Sequence, residues 1–110
     1  MATTGPALSP REKIVTIYVD ANGNYLRVEP DPFRIYKSRH EEVVWQTSPA
    51  GFPFSVVFKN GPFNYQDFSG SDPYSGEARR DVIPPQNGAY YKYTVTAGNN
   101  SEDPGGVVNG

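Results

Sequence analysis

Residues 42–63, EVVWQTSPAGFPFSVVFKNGPF, constrain this chain more than any other stretch: they hold its only Trp and four of its six Phe. Val43 and Trp45 are large and apolar, whereas Glu42, Gln46 and Thr47 are polar or wettable. After Ser48-Pro49-Ala50-Gly51 the alternation resumes, with Phe54, Val56 and Phe58 on one side and Ser55, Val57 and Lys59 on the other. Alternation with a period of two marks a half-buried β-strand. Pro49, Gly51 and Pro53 separate the two strands, because proline cannot donate to a ladder and glycine supplies turn angles. A Trp and two Phe laid onto one face bury several hundred Å² of apolar surface, at roughly 25 cal/mol per Å². The core is expected to centre here.

The rest of the chain has the same grain. Eleven Gly and eleven Pro in 110 residues, with eight Tyr, point to short strands and many turns. No ten-residue window carries a helical period. The length suits one domain that buries a little over 60% of its unfolded surface. Residues 1–12 read as a flexible tail and 13–110 as a single β domain. Strands are predicted over residues 13–20 (Val15, Ile17 and Val19 on one face), 25–29 (Leu26 and Val28 inward) and 33–36. Two more are predicted over residues 90–97 (Tyr91, Tyr93 and Val95 on one face) and 106–109, and residues 77–83 read as an edge strand ended by Pro84-Pro85. With Asn22-Gly23 and Asn87-Gly88 as turns, the pattern implies an all-β, antiparallel, two-sheet sandwich or barrel of about seven or eight strands.

Composition also excludes functions. A net charge of −2 gives no nucleic-acid footprint and no basic membrane patch. Without cysteine there is no disulfide framework, thiolate nucleophile or zinc knuckle. No segment has the roughly 20 apolar residues of a membrane helix, and the first residues lack the apolar core of a signal peptide. The chain reads as cytoplasmic if complete, and as periplasmic or secreted if a leader has been removed. No nucleophile elbow, phosphate loop or recognisable carboxylate pair is present, so it does not read as an enzyme. His40, within Lys37-Ser38-Arg39-His40-Glu41-Glu42, reads as a solvated turn residue. Asp67, Asp72 and Asp81 fit no known calcium loop.

The order of motifs resembles the cupredoxin family: Val43-Val44-Trp45, then Phe54-Ser55-Val56-Val57-Phe58, then Pro62-Phe63. Gly88, Tyr91, Tyr93 and Val95 follow, and Gly106-Val107-Val108 closes the chain. The resemblance covers residues 13–109, with one extra residue between Gly88 and Tyr91. It implies a Greek-key sandwich, and it breaks at the metal. A blue-copper site needs two imidazoles, a thiolate and a weak axial ligand. Phe54 stands where the resemblance puts the first His and Val95 where it puts Cys, while the loop 97–104 has neither His nor Met. A copper-free domain without a cofactor is therefore expected. Phe54 and Val95 are expected to extend the core, with Phe54→Ala costing roughly 3–5 kcal/mol.

Residues 60–76, NGPFNYQDFSGSDPYSG, are the candidate binding segment. Mixtures of Tyr, Ser, Gly and Asn suit contact surfaces because Tyr offers large area at low rotamer cost. Phe63, Tyr65, Phe68 and Tyr74 are the candidate ligand-binding residues; the alternative is that Phe63 and Phe68 plug the end of the sandwich. A non-catalytic binding or assembly module, for a protein or small ligand, is the favoured function. The alternative is an electron-transfer or copper-carrier protein with a degenerate site. An unguarded edge strand around Tyr90 is a route to a homodimer, and Arg79-Arg80 would guard another edge.

Overall fold

Alternation along the chain becomes eleven short strands in the computed structural model, which describes residues 10–110. They are β1 (Glu12–Val19), β2 (Tyr25–Glu29), β3 (Phe33–Tyr36), β4 (Glu42–Ser48), β5 (Ser55–Val57) and β6 (Asp67–Ser69). β7 (Tyr74–Glu77), β8 (Ala89–Lys92), β9 (Thr94–Ala97), β10 (Asn100–Glu102) and β11 (Gly105–Asn109) follow, and one 3₁₀ turn spans Lys37–Arg39. The strands form three sheets, ordered β2-β1-β4-β7, β10-β9-β5-β6 and β3-β11-β8. The fold is all-β and sandwich-like, and the sheets do not close into a barrel. Most of the expected tail, residues 1–9, lies outside the described residues; β1 begins at Glu12.

The expectation of a purely antiparallel fold is corrected. β1 runs parallel to β4, with Val15 opposite Trp45, and β11 runs parallel to β3, with Val108 opposite Ile35. Alternation reports which side of a strand is buried and is silent on direction. A parallel pair needs a long crossover, and residues 20–41 supply one, holding β2, β3 and the 3₁₀ turn.

Two other differences have local causes. Tyr18 pairs with Arg27 and Val19 with Tyr25, so β2 bulges at Leu26. The extra residue shifts the alternation: Tyr25 and Val28 point inward, and Leu26 is 53% exposed. The 90–97 run is two strands in different sheets, β8 and β9, with buried Tyr93 between them. The expected edge strand over 77–83 is also displaced. The edge of its sheet is β7, and the chain then turns, Val82 N–H donating to the Arg79 carbonyl at 3.1 Å. Arg79 guards no edge; its guanidinium donates to the carbonyls of Gly61 and Phe63 and clamps the loop before β6.

All three sheets place side chains in one core. Val15, Ile17, Val43 and Trp45 come from the first, Val56, Phe68 and Val95 from the second, and Phe33, Ile35 and Val108 from the third. Six rings meet at its centre: Phe33, Trp45, Phe58, Phe63, Phe68 and Tyr93. Phe58 stacks on Tyr93 at 4.9 Å between centroids and Trp45 on Phe68 at 5.0 Å. Trp45 Nε1 and the Tyr93 hydroxyl are buried without a partner of full hydrogen-bond geometry. Burial pushes the Tyr93 phenol well above its usual range, and the neighbouring indole N–H pulls the other way.

The outer face of the first sheet has a different character. Glu12, Glu42 and Glu77 stand opposite one another on β1, β4 and β7. Partial burial, then Glu12 and Glu77, hold the Glu42 carboxyl above its usual range, with Arg11 opposing. The folded state therefore binds this proton more tightly than the unfolded state. The contribution of Glu42 is greatest below the unfolded-state value near 4.3 and is lost as pH rises through the higher folded value. Glu42→Gln is expected to stabilise the fold by about 0.2–1 kcal/mol near pH 7 and to change little near pH 3. Urea melts of both proteins at the two pH values check this; a variant no more stable than the parent near pH 7 would refute it.

Candidate functional site

The end of β4, the 49–54 connection and the tight β6–β7 turn enclose a cleft of about 590 Å³. Its walls are Phe52, Pro53, Phe54 and Trp45, and Gln46, Thr47, Ser69 and Ser71 supply its polar groups. Local sequence explains each wall. Ser48-Pro49-Ala50-Gly51 cannot extend β4, so the chain swings outward before Phe54 re-enters the core ahead of β5. Phe52 packs half-buried on the core, over Gly23. A Cβ at Gly23 would lie 2.6 Å from Phe52 Cδ1, and the backbone φ there is +83°, so this turn needs glycine. On the opposite wall, Ser69 and Asp72 exchange two backbone hydrogen bonds at 3.1 and 3.0 Å, and the Ser69 and Ser71 hydroxyls meet at 3.0 Å.

The four residues singled out in the sequence do not form one patch. Phe63 and Phe68 are core rings, edge-on to each other at 6.1 Å, and neither offers a face to solvent. Tyr65 (71% exposed) and Tyr74 (51% exposed) stand outside. Tyr74 continues a row across the first sheet with Val44 and Ile14. None of the four lines the cleft. Segment 60–76 contributes to it instead through Ser69, Gly70 and Ser71, in the tight turn that carries the chain from β6 in the second sheet to β7 in the first. Clustered Ser and Gly mark such a turn, but nothing in the sequence says that it faces residues 49–54.

The two positions that the resemblance would give to copper ligands lie in the core. Phe54, 9% exposed, and Val95, fully buried, both belong to the apolar core. Neither side chain has a donor atom. His40 sits before the start of β4, so the strand's length, roughly 20 Å, separates it from the cleft at the far end. It occupies the left-handed region, φ 56°, closing the 3₁₀ turn, with Nδ1 2.8 Å from Glu77 Oε1. Among the described residues, no group of three His, Asp or Glu side chains is arranged to hold a metal ion. Glu41, in the same corner, is buried: it accepts the Tyr36 N–H at 2.8 Å and meets Lys13 Nζ at 3.5 Å. That carboxylate ties β3 to β1, a structural role. Because Phe54 also borders the cleft, its removal opens space that solvent can reach, and Phe54→Ala is expected to cost about 3 kcal/mol, the lower end of the range for a buried aromatic. A urea midpoint equal to the parent's would show that the ring contributes nothing.

Comparison with protein-family models, with curated proteins and with solved structures finds no match for this chain. No helix among the described residues is long and apolar enough to cross a membrane.

Proposed function

We propose that the chain is a copper-free, cupredoxin-like Greek-key sandwich that acts as a non-catalytic binding or assembly module. One observation carries this reading: the two positions that the resemblance assigns to copper ligands are occupied by Phe54 and Val95, both packed into the core. A thiolate and two imidazoles are what a blue-copper centre requires, and carbon side chains that are already buried cannot be recruited to replace them. The redox reading therefore has no ligand set to work with. What remains at that end of the fold is a cleft with aromatic walls and neutral polar groups, the form of a small-ligand site.

Titration with Cu(II), followed by visible absorption and by equilibrium dialysis, tests the proposal. The expected result is no saturable charge-transfer band and no stoichiometric retention of copper. An intense visible band that saturates at one copper per chain would overturn the module reading in favour of electron transfer or copper carriage.

A further inference from the structure

The cleft at the Phe54 end differs from three other clefts among the described residues in one respect: none of its eleven lining residues is charged. One fifth of the chain is charged, and the other clefts reflect it. The groove beside β1 and β3 holds Glu12, Lys13 and Arg34. The one beside β7 holds Glu42, Glu77, Arg79, Arg80 and Asp81, and the one beside Tyr93 holds Lys59, Lys92 and Asp103. An anionic ligand would find no cation in the Phe54 cleft, and a cationic ligand no carboxylate. Desolvating either without a counter-charge is costly. The cleft is suited to a neutral ligand.

Its polar groups narrow the class. They are three hydroxyls and one amide, from Thr47, Ser69, Ser71 and Gln46. The Ser69 and Ser71 hydroxyls share one hydrogen bond and Gln46 Nε2 donates to Thr16 Oγ1 at 3.4 Å, which leaves each group further capacity to bond a ligand. The opposing surface is aromatic. A pyranose has this division: hydroxyls around its edge, and an apolar patch of C–H groups on its face that packs on a ring. The walls are held in place before any ligand arrives. Phe52 is seated over Gly23, and the Ser69–Asp72 turn is closed by two backbone hydrogen bonds. Little ordering cost is left for binding. The volume of about 590 Å³ lies within the usual range for small-ligand sites and holds one or two sugar rings.

We propose that this cleft binds a neutral saccharide, its ring packed on Phe52 and its hydroxyls bonded to Ser69, Ser71 and Gln46. The assignment rests on the binding-module reading and gives it a ligand class. Backbone amide NMR titration tests it with cellopentaose, maltopentaose, laminaripentaose and xylopentaose as probes. Pentagalacturonate serves as the anionic counterpart, and an uncharged proline-rich peptide as the competing class. At least one neutral saccharide is expected to give saturable shifts centred on Phe52, Gly70 and Ser71, with pentagalacturonate inactive. Phe52→Ala and Ser71→Asp should each weaken that binding about tenfold or more, and Tyr74→Ala, on the outer face of the first sheet, should leave it unchanged. Ser71 is exposed in the turn between β6 and β7, so its variant keeps the test decisive if Phe52→Ala misfolds. Absence of cleft shifts with all four neutral saccharides, equal binding of pentagalacturonate, or unweakened binding by Ser71→Asp would overturn the saccharide assignment. Cleft shifts with the peptide alone would overturn it too, while leaving the module reading standing. Only the copper titration bears on that reading's choice between module and redox protein.

Discussion

Phe58→Ala is expected to remove about 3–5 kcal/mol of stability, the range for a fully buried aromatic ring. Phe58 is fully buried and touches five other rings. It stacks on Tyr93 at 4.9 Å and meets Phe63 at 5.6 Å, Trp45 at 6.0 Å, Phe68 at 6.3 Å and Phe33 at 6.5 Å. Truncation forfeits the transfer of the ring and leaves a cavity bordered by side chains that are themselves held. Phe63 is fixed through the Arg79 clamp on its carbonyl and its bridge to Ala78; Trp45 is fixed by its place in β4. Partial collapse is the only relief available, which is why the cavity contribution should be near its maximum. For a domain whose total stability is about 5–15 kcal/mol, the loss is a large share. In urea it should appear as a fall in midpoint of roughly 1–3 M at unchanged slope. Phe58→Leu, which keeps most of the volume, should lose about half as much or less. A midpoint within error of the parent's for Phe58→Ala would mean that the six-ring cluster does not hold the three sheets together.

Gly106→Ala should cost about 3 kcal/mol or more, although it adds only one methyl group. Gly106 pairs with Phe33 on one side and with Tyr91 on the other, in the centre strand of the third sheet. A Cβ there would lie 2.1 Å from Phe33 Cζ and within 2.5 Å of both neighbouring ring carbons. The ring cannot swing aside, because Tyr93 at 5.8 Å, Trp45 at 6.3 Å and Phe63 at 6.4 Å surround it. Either β3 moves away from β11 or the ring leaves its rotamer, and both disturb the cluster around Phe58. The cause is overpacking, so a smaller ring site should relieve it. Gly106→Ala combined with Phe33→Leu is expected to be more stable than the sum of the two single losses, a favourable coupling measurable in a double-mutant cycle. Strict additivity would show that the methyl group is accommodated elsewhere.

These two sites differ in how far their chains of residues announce them. Phe58 is readable from alternation alone: Phe54, Val56 and Phe58 stand two apart, and all three are buried. Gly106 is not. A glycine before Val107-Val108 looks like any strand entrance, and its constraint comes from Phe33, 73 positions earlier, which reaches it only through the parallel β3–β11 ladder. Leu26 fails for a related reason. A bulge of one residue turns the alternation over, and whether a strand bulges depends on the partner against which it is paired.

The candidate site divides in the same way. That oily side chains stand at residues 54 and 95 is a property of the sequence, and so is the consequence that neither offers a donor atom. Phe63 and Phe68, flagged with Tyr65 and Tyr74 as one aromatic group, part company because the loop wraps inward around Arg79 and leaves only the tyrosines outside. The cleft beside Phe52 is assembled from segments about twenty residues apart, neither of which has a motif of its own.

Side-chain alternation by itself determined that this is an all-β chain, where its core lies and which positions of β1 and β5 face inward, since successive strand residues must point to opposite sides. Only the tertiary structure decided which strands are neighbours, that two of the ladders run parallel, and that the 49–54 connection faces the Ser69–Asp72 turn. Ladder hydrogen bonds are made by backbone groups common to every residue, so the residues of a strand say little about its partner or direction. That choice is made when three sheets bury one set of rings together.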